Sequence, residues 1–133
     1  MTNPFVDRAR ALVGTRFRPQ GRSPETGLDC VGLALAVFGI RANAVRRDYR
    51  LRGAHGQELS REVLRFFRRV GKVAAAPGDL VISSVALDQL HLSIISDGAF
   101  VHADGRIGRV VETPGTPSWP CEGVYRRRVR GES

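Results

Sequence analysis

The spacing of hydrophobic positions changes about half-way along the chain. Phe5, Val6, Ala9, Leu12 and Val13 share one face at helical spacing and Gly14 follows as a stop, so a helix is expected over 5–13. Residues 15–28 carry Pro19, Gly21, Ser23-Pro24 and Gly27, which break any regular period and predict a loop. Asp29, a good helix-capping side chain, stands directly before the apolar run Cys30–Ile40, and Gly39 lies near the end of that run. A third helix is expected from Glu58 or Ser60 to Val70. Its apolar stripe is Leu59, Val63, Leu64, Phe66, Phe67 and Val70, while Arg61, Arg65, Arg68 and Arg69 face water and Gly71 ends it.

Beyond Pro77-Gly78-Asp79 the pattern is that of strands. That turn launches Leu80–Ile82, and His91–Ile95 closes on Asp97-Gly98, a hairpin turn from which Phe100–Ala103 returns. Asp104-Gly105 turns the chain into Arg109–Thr113, and a last strand, Gly123–Val129, follows a loop bearing Pro and Gly. Helices first and an antiparallel meander second make an α+β plan, in one domain spanning 1–133 without internal repeats.

A chain of 133 residues suits one hydrophobic core. Its longest apolar stretch, Val31–Ile40, contains two glycines and falls short of the ~20 residues a membrane-spanning helix needs, so no span is expected. Met1–Arg8 lacks the basic-then-apolar order of a secretion signal, which predicts cytoplasmic synthesis without a leader. The net charge is +8, from 21 Lys and Arg against 13 Asp and Glu. The arginines are dispersed, with short clusters at Arg46-Arg47, Arg68-Arg69 and Arg126-Arg127-Arg128. Such a surface attracts polyanions: nucleic acid, an anionic wall polymer or an acidic protein. No zinc-finger spacing, phosphate loop or aromatic–basic interleave accompanies it, so specific nucleic-acid recognition is not expected. Both cysteines, Cys30 and Cys121, are expected as thiols.

Cys30 has the best chemical address. It falls in the first turn of a helix after a glycine-rich loop, where free N–H groups and the helix dipole favour a thiolate and can face an oxyanion. Val31, Gly32 and Leu33 are small or apolar, which lets the helix start sit close against a sheet. His91 and His102 lie on opposite arms of the hairpin turning at Asp97-Gly98, so pairing about that turn brings them together. A thiol nucleophile needs a base, and the base needs a third polar group to hold its ring. The same three residues, with Asp29 or Asp104, could instead form a zinc site; the His91–His102 interval is no familiar ligand spacing, and that reading ranks second. Cys121, in Trp119-Pro120-Cys121-Glu122, has no helix start and no neighbouring histidine, and His55 reads as an exposed loop residue.

The segment Leu12-Val13-Gly14-Thr15-Arg16-Phe17, followed by a glycine-bearing loop with Ser23-Pro24 and then Asp29-Cys30-Val31-Gly32-Leu33, resembles the nucleophile region of the NlpC-type cell-wall cysteine peptidases. Pro77-Gly78-Asp79-Leu80, His91-Leu92-Ser93-Ile94 and Phe100-Val101-His102-Ala103 resemble that family's later motifs, in order. The resemblance implies a papain-like fold with Cys30 as nucleophile, His91 as base and His102 orienting it. It also implies Phe17, Asp29 and Ser93 as substrate-binding residues, and neither metal nor cofactor. The implied reaction is hydrolysis of stem-peptide amides in peptidoglycan through an acyl-enzyme, at the bond between D-glutamate and a diamino acid. Two positions depart from the pattern: Phe17 stands where the family usually has Tyr, and Val31 where it usually has Ser. A bare domain with Asp-Cys-Val-Gly is similar to versions carried in phage tails and gene transfer particles, which implies tail proteins as partners and action in the periplasm. The competing classes are a structural tail-tip protein and a cytoplasmic amidase or acyltransferase on a non-wall substrate.

Overall fold

The computed structural model describes residues 3–41, 56–86 and 89–128. His55, Arg46-Arg47, Val129 and most of the 41–57 loop lie outside the described residues. Helix α1, Pro4–Ala11, begins where the Asn3 side chain accepts the N–H groups of Phe5 and Val6 at 2.9 and 3.3 Å. It stops two residues before the expected end; Leu12–Gly14 is a turn, and the Gly14 N–H goes to the Val110 carbonyl at 2.8 Å. The loop that follows holds a small hairpin, β1 (Arg22–Ser23) with β2 (Gly27–Leu28), which its Gly and Pro content conceals in the sequence.

Helix α2, Cys30–Phe38, is capped by Asp29 and ends on Gly39, whose φ of 69° is the left-handed conformation glycine adopts without penalty. Eight of its nine residues are buried, so it is the central helix of the domain. Helix α3 spans Gly56–Phe66. Its expected last turn is strand β3, Phe67–Val70, at the edge of the sheet. Val63, Phe66, Phe67 and Val70 keep helical spacing, but β3 pairs antiparallel with β8 (Cys121–Arg127), from Phe67 opposite Arg127 to Val70 opposite Val124. Ladder hydrogen bonds to β8 decide the conformation there over local periodicity.

The remaining strands are β4 (Leu80–Ala86), β5 (Gln89–Ile95), β6 (Ala99–Asp104) and β7 (Arg109–Pro114). With β3 and β8 they form one six-stranded antiparallel sheet of order β3-β8-β4-β5-β6-β7. Leu80, Ile82, Leu92, Ile94, Val101, Val110 and Tyr125 bury one sheet face with Leu33, Val37 and Phe38 of α2. A smaller cluster, Val70, Val81 and Val124, forms apart from that core. Strands β4 and β5 pair along their length, whereas β5 and β6 pair only beside their turn, Ile94 with Val101 and Ile95 with Phe100. No helix among the described residues is long and apolar enough to cross a membrane.

Candidate active site

Cys30 is the first residue of α2, and its position is fixed from the loop side. The Asp29 carboxylate accepts the Gly32 N–H at 2.8 Å, the Gln20 N–H at 3.0 Å and the Arg22 guanidinium at 2.7 Å. One side chain thus caps the helix and ties the preceding loop to it. Gly32 packs so closely on Gly21 that a Cβ there would lie 2.0 Å from the Gly21 carbonyl oxygen. Gly32 thus lets the helix start sit close against the loop, while Cys30 itself meets the sheet at the Leu92 N–H.

Cys30 is buried, at 4% exposure. Burial, and next the adjacent Asp29 carboxylate, push its pKa up to about 12, against the smaller opposing effects of the Leu92 N–H and Arg22. Desolvation thus works against the thiolate that the helix start favours. The Leu92 N–H is available because of the splay between β5 and β6. Ile95 donates its N–H to Asp79 on the β4 side, so by strand alternation Leu92 points its N–H toward β6, beyond the last recorded β5–β6 pair.

Counting back from Ile94 and Val101 places His91 and His102 on a common face, and His91 Nε2 meets His102 Nδ1 at 2.9 Å. Thr113 Oγ1 lies 3.4 Å from His102 Nε2. These contacts fit either of two neutral tautomer pairs, and the one that leaves His91 able to accept a proton at Nδ1 is as follows. His91 Nε2–H donates to His102 Nδ1, His102 Nε2–H donates to Thr113, and His91 Nδ1 keeps a free lone pair. Burial, and then His102, lower the His91 pKa to about 4, while Asp104 acts in the opposite direction. Burial also lowers that of His102, again opposed by Asp104. Asp104 is itself held below its ordinary range: burial opposes ionisation, but the Ile107 and Arg106 N–H groups and the two imidazoles outweigh it.

Cys30, His91, His102, Phe17 and Asp29 all line one cleft of about 910 Å³. Phe17 lies against the β6–β7 turn: a Cβ on Gly105 would be 3.3 Å from its Cζ. Ser93 does not join them. It is fully buried at 0% exposure, off the cleft wall, with its hydroxyl unpartnered, and it has no surface to offer a substrate. Among the described residues, no group of three His, Cys, Asp or Glu side chains is arranged to hold a metal ion. Sequence reasoning missed Trp119, whose ring packs edge-on against His91 and His102 at centroid distances of 5.4 and 5.8 Å. It also missed Thr113; Asp104, expected beside the histidines only as an alternative zinc ligand, instead acts on both imidazoles through its charge.

No family model matches the chain, and no curated protein matches it. Solved structures do. A Staphylococcus aureus subsp. aureus Mu50 protein described as similar to lipoprotein, of the NLP/P60 family, superposes with a TM-score of 0.64 at 19% identity, over 96% of this chain and 41% of that one. The peptidoglycan hydrolase RipB of Mycobacterium tuberculosis gives 0.62 at 20% identity, over 93% of this chain and 62% of RipB. The P60 domain of the M. avium subspecies paratuberculosis antigen MAP1204 gives 0.63 at 20% identity, over 92% and 91%. The chain has the NlpC/P60-type, papain-like α+β fold.

Proposed function

We propose that the protein is a cysteine hydrolase of peptidoglycan stem-peptide amides, with Cys30 as nucleophile, His91 as general base and His102 as the residue that orients His91. The observation carrying this reading is the meeting, in one cleft, of a helix-start cysteine and a hydrogen-bonded histidine pair. Because thiol and imidazole both rest neutral, proton transfer accompanies attack. Cys30 Sγ bonds to the amide carbon as its proton passes to His91 Nδ1, and the carbonyl oxygen becomes an oxyanion facing N–H groups at the start of α2. Collapse breaks the C–N bond, and the leaving amine takes the proton from His91. Water then attacks the thioester, giving one proton to His91, and the departing Cys30 sulfur recovers it.

The wall substrate is supported by the fold shared with RipB, a peptidoglycan hydrolase. The finer expectations, a cut between D-glutamate and the diamino acid and carriage in a phage-like tail, rest on the sequence motifs alone. Digestion of purified diaminopimelate-type sacculi and of soluble muropeptides under reducing conditions tests the reading. Stem-peptide fragments are expected from the wild type and none from Cys30→Ala. Intact substrate in both, with the protein folded, would overturn it.

A further inference from the structure

Gln20 is the one residue other than glycine, among the described residues, that holds a positive φ, at 56°. It is the third residue of a tight turn, Arg18-Pro19-Gln20-Gly21, closed by the Gly21 N–H on the Arg18 carbonyl at 2.8 Å. After a proline, that position calls for a left-handed conformation, which glycine takes freely and glutamine takes at a cost. The turn is docked on the start of α2. The Gln20 N–H donates to the Asp29 carboxylate at 3.0 Å and the Asp29 N–H to the Gly21 carbonyl at 3.4 Å, so residue 20 is fixed beside the nucleophile. Its side chain is exposed and lines the cleft with Cys30, and its amide has no partner among the described residues. A strained backbone persists only where its surroundings enforce it, and here they present a free amide to the reaction cleft.

We propose that Gln20 is a catalytic residue whose side-chain amide donates a hydrogen bond to the oxyanion formed when Cys30 attacks the substrate carbonyl. The inference rests on the hydrolase reading and adds a donor to it. In that attack Sγ bonds to the carbonyl carbon, the thiol proton passes to His91 Nδ1, and the carbonyl π electrons move onto oxygen. The negative oxygen needs donors on the nucleophile's side of the cleft. At the helix start the Gly32 N–H is held by the Asp29 carboxylate and the Leu33 N–H by the Asp29 carbonyl, which leaves those of Cys30 and Val31. Neighbouring side chains add little: the Phe17 ring has no donor, and Arg22 Nη1 is engaged by Asp29 and the Gly21 carbonyl. Gln89, two residues before His91 on β5, and Arg106, in the turn after β6, belong to the sheet that carries the histidines. A neutral amide also leaves the resting charge of the cleft unchanged, so Gln20 acts on the transition state and not on the thiol.

The ester p-nitrophenyl acetate tests the donor without any wall substrate. Its attack by Cys30 passes through the same kind of oxyanion: the Sγ–C bond forms, the C–O bond to nitrophenolate breaks, and the thiol proton goes to His91. Alkylation by iodoacetamide expels iodide from a saturated carbon and forms no oxyanion, so it reads the thiol alone. Gln20→Met keeps the side-chain length and removes the donor. Gln20→Gly also relieves the positive φ, so it should unfold in urea no earlier than the wild type. Both variants should lose about 100-fold or more in the rate of Cys30 acetylation, followed by mass spectrometry of the Cys30 peptide, while alkylation keeps the wild-type rate. Acetylation at the wild-type rate in either folded variant, equal losses in both reactions, or no acetylation of a wild-type Cys30 that alkylates would overturn the proposal. Its failure is separable from that of the hydrolase reading. If the wild type leaves muropeptides intact while acetylation falls as expected, the donor stands and the wall substrate does not. If either variant acetylates and cleaves muropeptides at the wild-type rate, the hydrolase stands without Gln20.

Discussion

Replacing Gly32 with Ala tests how the nucleophile is held. The added Cβ would lie 2.0 Å from the Gly21 carbonyl oxygen, 3.1 Å from its carbon and 3.2 Å from Leu28 Cδ2. Two of these three neighbours are backbone atoms and cannot rotate away. Reaching an ordinary 3.4 Å contact with the oxygen means opening the α2–loop junction by about 1.4 Å. The Gly21 carbonyl also accepts Arg22 Nη1 at 3.0 Å, and the Gly32 N–H is the one that Asp29 caps at 2.8 Å, so the shift strains the whole junction. Overpacking costs roughly 1–3 kcal/mol and a lost cap about 1 kcal/mol, so a loss of roughly 2–4 kcal/mol is expected. Cys30 begins the same helix turn, and a displacement on the order of 1 Å can cost about 100-fold in rate. Urea denaturation gives the stability, and hydrolysis per folded molecule gives the rate. Gly71→Ala is the control, because Gly71 has φ −67° and nothing within 4 Å of the added methyl. If Gly32→Ala matched the wild type in both stability and rate, the clamped helix start would be refuted.

His102→Gln should retain more activity than His91→Ala, since an orienting side chain is partly replaceable and the base is not; steady-state rates in the reverse order would exchange the two roles. The depressed His91 value bears on stability as well. Between about 6.5 and about 4 the unfolded chain binds a proton that the folded one refuses, so stability falls on acidification across that window, by on the order of 3 kcal/mol in all. Urea midpoints at neutral pH and near pH 4 should show that loss in the wild type and a smaller one in His91→Gln, whereas equal losses would place the pH dependence elsewhere. Alkylation of Cys30 by iodoacetamide, followed by peptide mapping, should accelerate steadily toward alkaline pH as befits a thiol pushed up to about 12. A rate already at its plateau in mild acid would indicate a resting thiolate–imidazolium pair instead.

The parts of the site legible in the sequence are those written in local chemistry. Asp29 before an apolar run marks a helix start because a carboxylate there has N–H groups to accept, and Cys30 follows it by one residue. His91 and His102 can be brought together on paper because a hairpin turn fixes register. What was not legible depends on distant partners. Phe67–Val70 carries a helical pattern, and only the β8 ladder makes it a strand. Ser93 lies two residues beyond His91 on the same strand face, yet packing seals it at 0% exposure. The raised pKa of the Cys30 thiol is a similar case: a helix start can be inferred from a sequence, but the depth at which the tertiary fold buries it cannot. Trp119 lies in an aperiodic loop, and its contact with both imidazoles exists only once that loop packs on β5 and β6.

The measurement that bears most directly on Cys30 as a hydrolytic nucleophile is digestion of diaminopimelate-type muropeptides in heavy-oxygen water, followed by mass spectrometry of both products. Amide hydrolysis through a Cys30 thioester predicts one heavy oxygen in the carboxylate newly formed on the acyl fragment, none in the released amine fragment, and no product from Cys30→Ala. The same labelled products from Cys30→Ala, or no labelled product from the folded, reduced wild type, would contradict it.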